Sequence, residues 1–227
     1  MAFRRTSSSV KLLSGETPTQ AMVGIGMLFA QEGFPDPNIE DTLLAASIEG
    51  MEQDDLRVLA MLMTWLEVHS HWINVDRLTR LVAVYSGARV RAFWAAVGHW
   101  LSKDRRFARL VRSYQGAPID LLATGTAFHL RRAGEDPRFI GSSLCVPAGV
   151  LRNRKEDVLS PAELARRHRS YRRRILLGPS YRADMWAELD RDPDLNAAEL
   201  ARRAYGSFAT AWQVKQDWAL LEAAKVH

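Results

Sequence analysis

Cysteine is all but missing from this chain: Cys145 is the one thiol in 227 residues. No internal disulfide can form, and a zinc site built from several cysteines is excluded. A lone thiol agrees with a reducing compartment. No apolar run approaches the roughly 18 residues that a membrane-spanning helix needs. The opening Met1-Ala2-Phe3-Arg4-Arg5-Thr6, followed by three serines, is basic and lacks an apolar stretch of signal-peptide length. A flexible start over residues 1–17 and a cytoplasmic location are expected. The strings that announce catalysis are missing as well: there is no G-x-S-x-G, H-E-x-x-H or P-loop. Cys145 lies in an apolar stretch with no histidine or basic residue close in sequence, so nothing marks it as a nucleophile. Gly24-Ile25-Gly26 has no preceding strand and no third glycine, which argues for close helix packing and against a phosphate cradle. His69 and His71 would point about 200° apart on a helix and cannot share an ion there. No catalytic residue, metal ligand or cofactor is expected, and the chain does not read as an enzyme.

What is present is an ordinary globular composition. With 47% hydrophobic and 25% charged residues, disorder over the whole length is excluded. Charge is unevenly distributed. Residues 1–100 hold 8 Lys/Arg against 11 Asp/Glu, and residues 101–227 hold 23 against 15. A basic C-terminal part suggests a polyanionic partner. The densest cluster is Arg166, Arg167, Arg169, Arg172, Arg173 and Arg174, with no acid interleaved. A second is Lys103, Arg105, Arg106, Arg109 and Arg112, diluted only by Asp104. Taken singly, either cluster is also explained by a solvated helix face. His129 and His168 stand near arginines and are further phosphate candidates.

Periodicity and punctuation predict a mainly α chain. Pro18 to Gln31 reads as a first helix, with Met22, Ile25, Leu28 and Phe29 on one side. Asn38 or Asp41 would cap the next, Asp54-Asp55 would open a third, and Asn74 would start a fourth. Residues 88–100 and Leu101 to Tyr114 read as helix, the latter broken near Ser102. Residues 119–130 are ambiguous. Phe139 to Leu151 is the most strand-like stretch, though Gly141, Pro147 and Gly149 favour a packed loop. Ser160-Pro161-Ala162-Glu163 is a capping box that starts a helix running to about Leu177. The expected fold is all-α, with a helical domain over 18–155 and a basic module over 156–227.

Residues 180–222 have the layout of a helix-turn-helix. Met185, Trp186 and Leu189 fall on a first helix capped by Ser180. Asn196-Ala197-Ala198-Glu199 caps a short second helix carrying Leu200, Ala201 and Ala204. Tyr205-Gly206-Ser207 forms a turn, with Gly206 expected to supply positive φ. Ser207 then caps a third helix from Phe208 to about Leu221, with Ala211, Val214, Trp218 and Leu221 facing inward. Glu199-Leu200-Ala201-Arg202-Arg203 followed by Ser207, Thr210 and Val214 resembles the core motif of bacterial helix-turn-helix regulators. Tyr205 stands where that family usually has the turn glycine. The likeness covers about 40 residues and does not extend to residues 1–150.

The resemblance implies that the third helix enters the major groove of double-stranded DNA. Ser207, Phe208, Ala209, Thr210, Trp212, Gln213 and Gln216 would then face the bases. Gln213 is suited to adenine and Thr210 to a thymine methyl. Arg202, Arg203 and Lys215 would clamp the backbone, and Arg166, Arg167, Arg169, Arg172, Arg173 and Arg174 would track phosphates. Homodimers are the usual way such modules gain two half-sites. A transcriptional regulator is therefore the leading expectation. The alternative is a protein-interaction module of an antitoxin or defence-associated system whose helical domain holds a partner protein. Phe208 and Trp212, large aromatics on a groove face, and an apolar patch over Leu59, Met63 and Leu66 would favour that alternative.

Overall fold

The computed structural model describes residues 17–225. They form two compact units, residues 17–161 and residues 162–225. The division falls a few residues after the boundary expected at 155/156. Of the start expected to be flexible, all but Thr17 lies outside the described residues. Among the described residues the fold is mainly α, and the two strands are two residues each.

In the first unit, α1 (Thr17–Gly24) is shorter than expected. Its continuation pairs elsewhere: Leu28 N–H donates to Asp157 O, and Leu159 N–H to Gly26 O, both at 2.8 Å. Backbone engaged in that antiparallel bridge is not available to a helical ladder. Next come α2 (Ile39–Glu52), α3 (Leu56–His69), α4 (Val75–Val84) and α5 (Ala88–Trp100). Their N-caps are Asn38, Asp55 and Asn74 for α2, α3 and α4, each side chain accepting from an amide of the first turn.

The core sits on α3, whose residues Val58 to Leu66 are buried on all sides. Leu59, Met63 and Leu66 are therefore core and form no surface patch for a partner protein. Trp65 and Trp94 are fully buried. Their indole N–H groups donate to Ile25 O at 2.7 Å and Ser47 Oγ at 2.9 Å, which makes their burial affordable for a polar ring. Glu40 is buried too. It lies in the first turn of α2 and accepts from the Asn74 backbone N–H at 2.9 Å, so it also holds the start of α4.

The stretch expected as an α-helix over 101–114 is instead a 3₁₀ helix, Arg105–Ser113. Its sequence repeats every third residue. Phe107 and Leu110 point inward and are buried, with Ser113 in line below them. Gly98 of α5 allows the two backbones to meet: a Cβ there would lie 2.9 Å from Val111 N and 3.1 Å from Phe107 O. The ambiguous 119–130 stretch contains β1 (Ile119–Asp120) and the first five residues of α6 (Thr126–Ala133). Within 139–151 only β2 (Leu144–Cys145) is strand, parallel to β1 with Ile119 opposite Leu144.

From the boundary residue Pro161 onward come α7 (Pro161–Arg167), α8 (Arg169–Leu177), α9 (Tyr181–Arg191), α10 (Ala197–Arg203) and α11 (Phe208–Lys225). The single helix expected to run to Leu177 is two. His168 breaks it in an extended conformation and caps α8, its Nδ1 accepting from Tyr171 N–H at 3.2 Å. His168 is buried and so is not a surface phosphate ligand.

Candidate nucleic-acid interface

Helices α9, α10 and α11 surround one small core. Met185, Trp186 and Leu189 come from α9, Leu200 and Ala201 from α10, and Ala211 and Val214 from α11. Leu195 and Ala204 of the connections complete it, and Trp218 packs on Trp186 with ring centroids 5.4 Å apart. Local sequence dictates each start. Ser180 Oγ accepts from Ala183 N–H, Asn196 Oδ1 from Glu199 N–H, and Ser207 Oγ from Thr210 N–H.

The turn between α10 and α11 is built differently from the sequence reading. Tyr205, not Gly206, takes the left-handed conformation, with φ +55°. Gly206 N–H donates to Ala201 O at 2.9 Å and Tyr205 N–H to Arg202 O at 3.3 Å. That pair of bonds is a Schellman closure, with Tyr205 at the position glycine usually fills. Gly206 lies against Met185: a Cβ there would lie 2.3 Å from Met185 Cε and would displace the end of that side chain.

The residues expected to face bases lie on the solvent side of α11 and its cap. Ser207, Phe208, Ala209, Trp212, Gln213 and Gln216 are exposed, and Thr210 is half-buried. Ala211 and Val214 are fully buried on the opposite side. Leu221, expected inside, is exposed near the helix end. Gln213 Nε2 donates to Asp217 at 3.1 Å, and Arg182 donates to the same carboxylate at 2.6 Å. The Arg182 bond, with Gln213 second, holds the Asp217 carboxyl below its ordinary range. The same face carries large apolar side chains, with Phe208 59% and Trp212 52% exposed, and Leu220 beyond them.

The expected phosphate ligands separate into two groups. Arg166, Arg167, Arg169 and Arg172 are exposed. Arg173 is half-buried and forms a fork on Asp190, which raises its already high pKa. Arg174 is buried at 1% exposure and pairs with Asp184 through Nε at 2.8 Å and Nη2 at 3.0 Å. It is a core residue of the α8–α9 contact rather than part of a phosphate track. The acids that were absent from the 166–174 stretch are supplied by α9. Arg202 and Arg203 both bond Glu199, from three and four residues away, and together they hold its carboxyl at about 2. That spacing is legible in the sequence. Lys215 Nζ reaches the Pro193 carbonyl at 3.3 Å.

Other candidates do not gather into a site. His69 is buried and bonds the Leu159 carbonyl at 3.0 Å, while His71 lies exposed in the following turn. Burial pushes the Cys145 thiol up, aided by the charges of Asp120 and Glu135. Among the described residues no cluster of histidine, cysteine and acidic side chains has the geometry to hold a metal ion. Nor is any helix there long and apolar enough to cross a membrane. No protein-family model matches the chain, and no curated protein or solved structure matches it.

Proposed function

We propose that the chain is a sequence-specific DNA-binding protein, a transcriptional regulator that lays α11 in the major groove. One observation carries the reading. The set expected to face bases is on the solvent side of α11, while Ala211 and Val214 lock the opposite side onto α9 and α10. A short helix, a four-residue turn and a longer helix over such a core form the scaffold that this mode of binding needs. Exposed Arg166, Arg167, Arg169 and Arg172 supply phosphate contacts. Arg202 and Arg203 are held by Glu199 in the free protein, and a DNA phosphate would compete with that carboxylate. The reading implies a cytoplasmic homodimer on paired half-sites.

Selection of genomic fragments by the purified protein, with competitor DNA present, tests it beside a Gln213→Ala/Thr210→Ala variant. Retention of a few fragments, lost in the variant, is expected. Binding without selectivity, unchanged in the variant, refutes groove reading by α11.

A protein partner for α11 is the second reading, favoured by the exposure of Phe208, Trp212 and Leu220. Trp212→Gln separates the two. It would weaken a protein complex strongly and leave most of the electrostatic DNA affinity in place.

A further inference from the structure

We infer that the 3₁₀ helix Arg105–Ser113 is a second DNA contact, in which a row of guanidinium groups on the first unit takes the phosphodiester backbone of a duplex. This inference does not depend on α11.

In a 3₁₀ helix, residues three apart eclipse one another, rising about 6 Å per turn. With Phe107, Leu110 and Ser113 directed at α5, Arg106, Arg109 and Arg112 stack on one outer edge, and Arg105, Ala108 and Val111 on the next. A duplex presents phosphates at regular, closely spaced intervals along each strand, and arginine's planar fork suits them. The row is held firmly. Ser113 Oγ donates to Arg91 O, Arg91 Nε donates to Ser113 O at 2.7 Å, and the Gly98 contact leaves α5 no slack.

Its charge is only partly neutralised. Arg106 is committed to Asp104, whose carboxyl it holds below the ordinary range. Arg109 is 74% exposed and reaches Asp76 at 3.3 Å, a carboxylate already bonded by Arg80. Lys103, Arg105 and Arg112 are exposed and form no ion pair among the described residues. Six cations therefore face two acids in this region. Residues 17–161 as a whole carry 16 Lys/Arg and 16 Asp/Glu, so the positive charge is concentrated here and balanced elsewhere.

Like charges stacked at helical spacing repel one another, and 3₁₀ runs beyond three or four residues are uncommon. Nine residues of such a helix, carrying an arginine row, form an arrangement that a polyanion would relieve. A lipid surface is the poorer match, because binding there needs bulky apolar side chains beside the cations. On this row only Val111, 41% exposed, is of that kind.

The test uses the full chain and a fluorescent duplex of about 30 base pairs, with anisotropy followed from about 50 to about 200 mM salt. In an Arg105→Ala/Arg109→Ala/Arg112→Ala variant, all three changes are on exposed side chains, and circular dichroism verifies the fold. The slope of log affinity against log salt should fall by about 2 to 3, since each lost phosphate contact removes about 0.9. The triple lysine variant should restore the slope. An unchanged slope in the alanine variant overturns the inference. So does a wild-type chain that fails to bind the duplex. So does loss of binding to phosphatidylserine vesicles alone, with duplex binding intact. The Gln213→Ala/Thr210→Ala variant keeps the two readings apart: it should lose fragment selectivity and retain the slope contributed by the 3₁₀ row.

Discussion

Replacing Arg174 by Met removes a guanidinium that is 1% exposed and leaves its partner Asp184 behind at 8% exposure. The lost pair is a two-point fork at 2.8 and 3.0 Å. Removing one member of a buried pair costs about 3–5 kcal/mol, mostly the penalty of the stranded charge. For a unit the size of residues 162–225, that corresponds to a drop in Tm on the order of 15 °C or more. Asp184→Leu alone, which strands Arg174, should also be destabilising. The double variant Arg174→Met/Asp184→Leu should return to within about 1–2 kcal/mol of the wild type, because both charges of the pair are removed together. Urea unfolding followed by tryptophan fluorescence measures all three, since Trp186 and Trp218 lie in the adjoining core. Two single variants that each cost under about 1 kcal/mol, and that simply add in the double, would refute the reasoning. A second readout addresses role. Arg174→Met should leave the salt slope of DNA binding unchanged, while Arg172→Met, at an exposed position, should lower it by about 0.9. Equal slopes for both would return Arg174 to the phosphate track.

Three further outcomes are expected. Glu199→Gln releases Arg202, while Arg203 keeps its contacts with Asp192 at 3.5 Å and Glu188 at 3.8 Å, so duplex affinity at low salt should rise and its salt slope steepen by about 1 in the same anisotropy assay. His69, kept neutral by burial and only partly compensated by its Leu159 bond, has a pKa of about 4 against 6.5 for the free side chain. The unfolded chain then binds the extra proton first, so stability present above pH 6.5 should be lost as pH falls towards 4, by roughly 3 kcal/mol; in a His69→Gln variant, urea melts at pH 7 and pH 4.5 should lack that component. Gly98→Val would press side-chain atoms into the 3₁₀ backbone and should lower stability by about 1–3 kcal/mol or more in a thermal melt.

The helical class, most helix starts and the three-helix layout of residues 180–222 were legible in the sequence, because caps and apolar periodicity are local. Asn38, Asp55, Asn74, Ser180, Asn196 and Ser207 cap where their spacing says they should, since each bonds an amide two or three residues away. The division of α11 into a buried and an exposed side followed from the same period. Tertiary structure decided what local rules cannot reach. Helix α1 ends at Gly24 because residues 26–28 pair with 157–159, far along the chain. Within the 101–114 stretch, Arg105–Ser113 winds as 3₁₀ and packs backbone to backbone on α5 at Gly98. Tyr205 takes positive φ, with the amides of Tyr205 and Gly206 turned back onto Arg202 O and Ala201 O to close the end of α10. The arginine cluster shows the limit most plainly. Six arginines in nine residues look alike in sequence, yet Arg173 and Arg174 meet acids of α9 while Arg166, Arg167, Arg169 and Arg172 stay at the surface. Charge is written in the sequence, but which charges are neutralised depends on partners that only folding brings within a few ångströms.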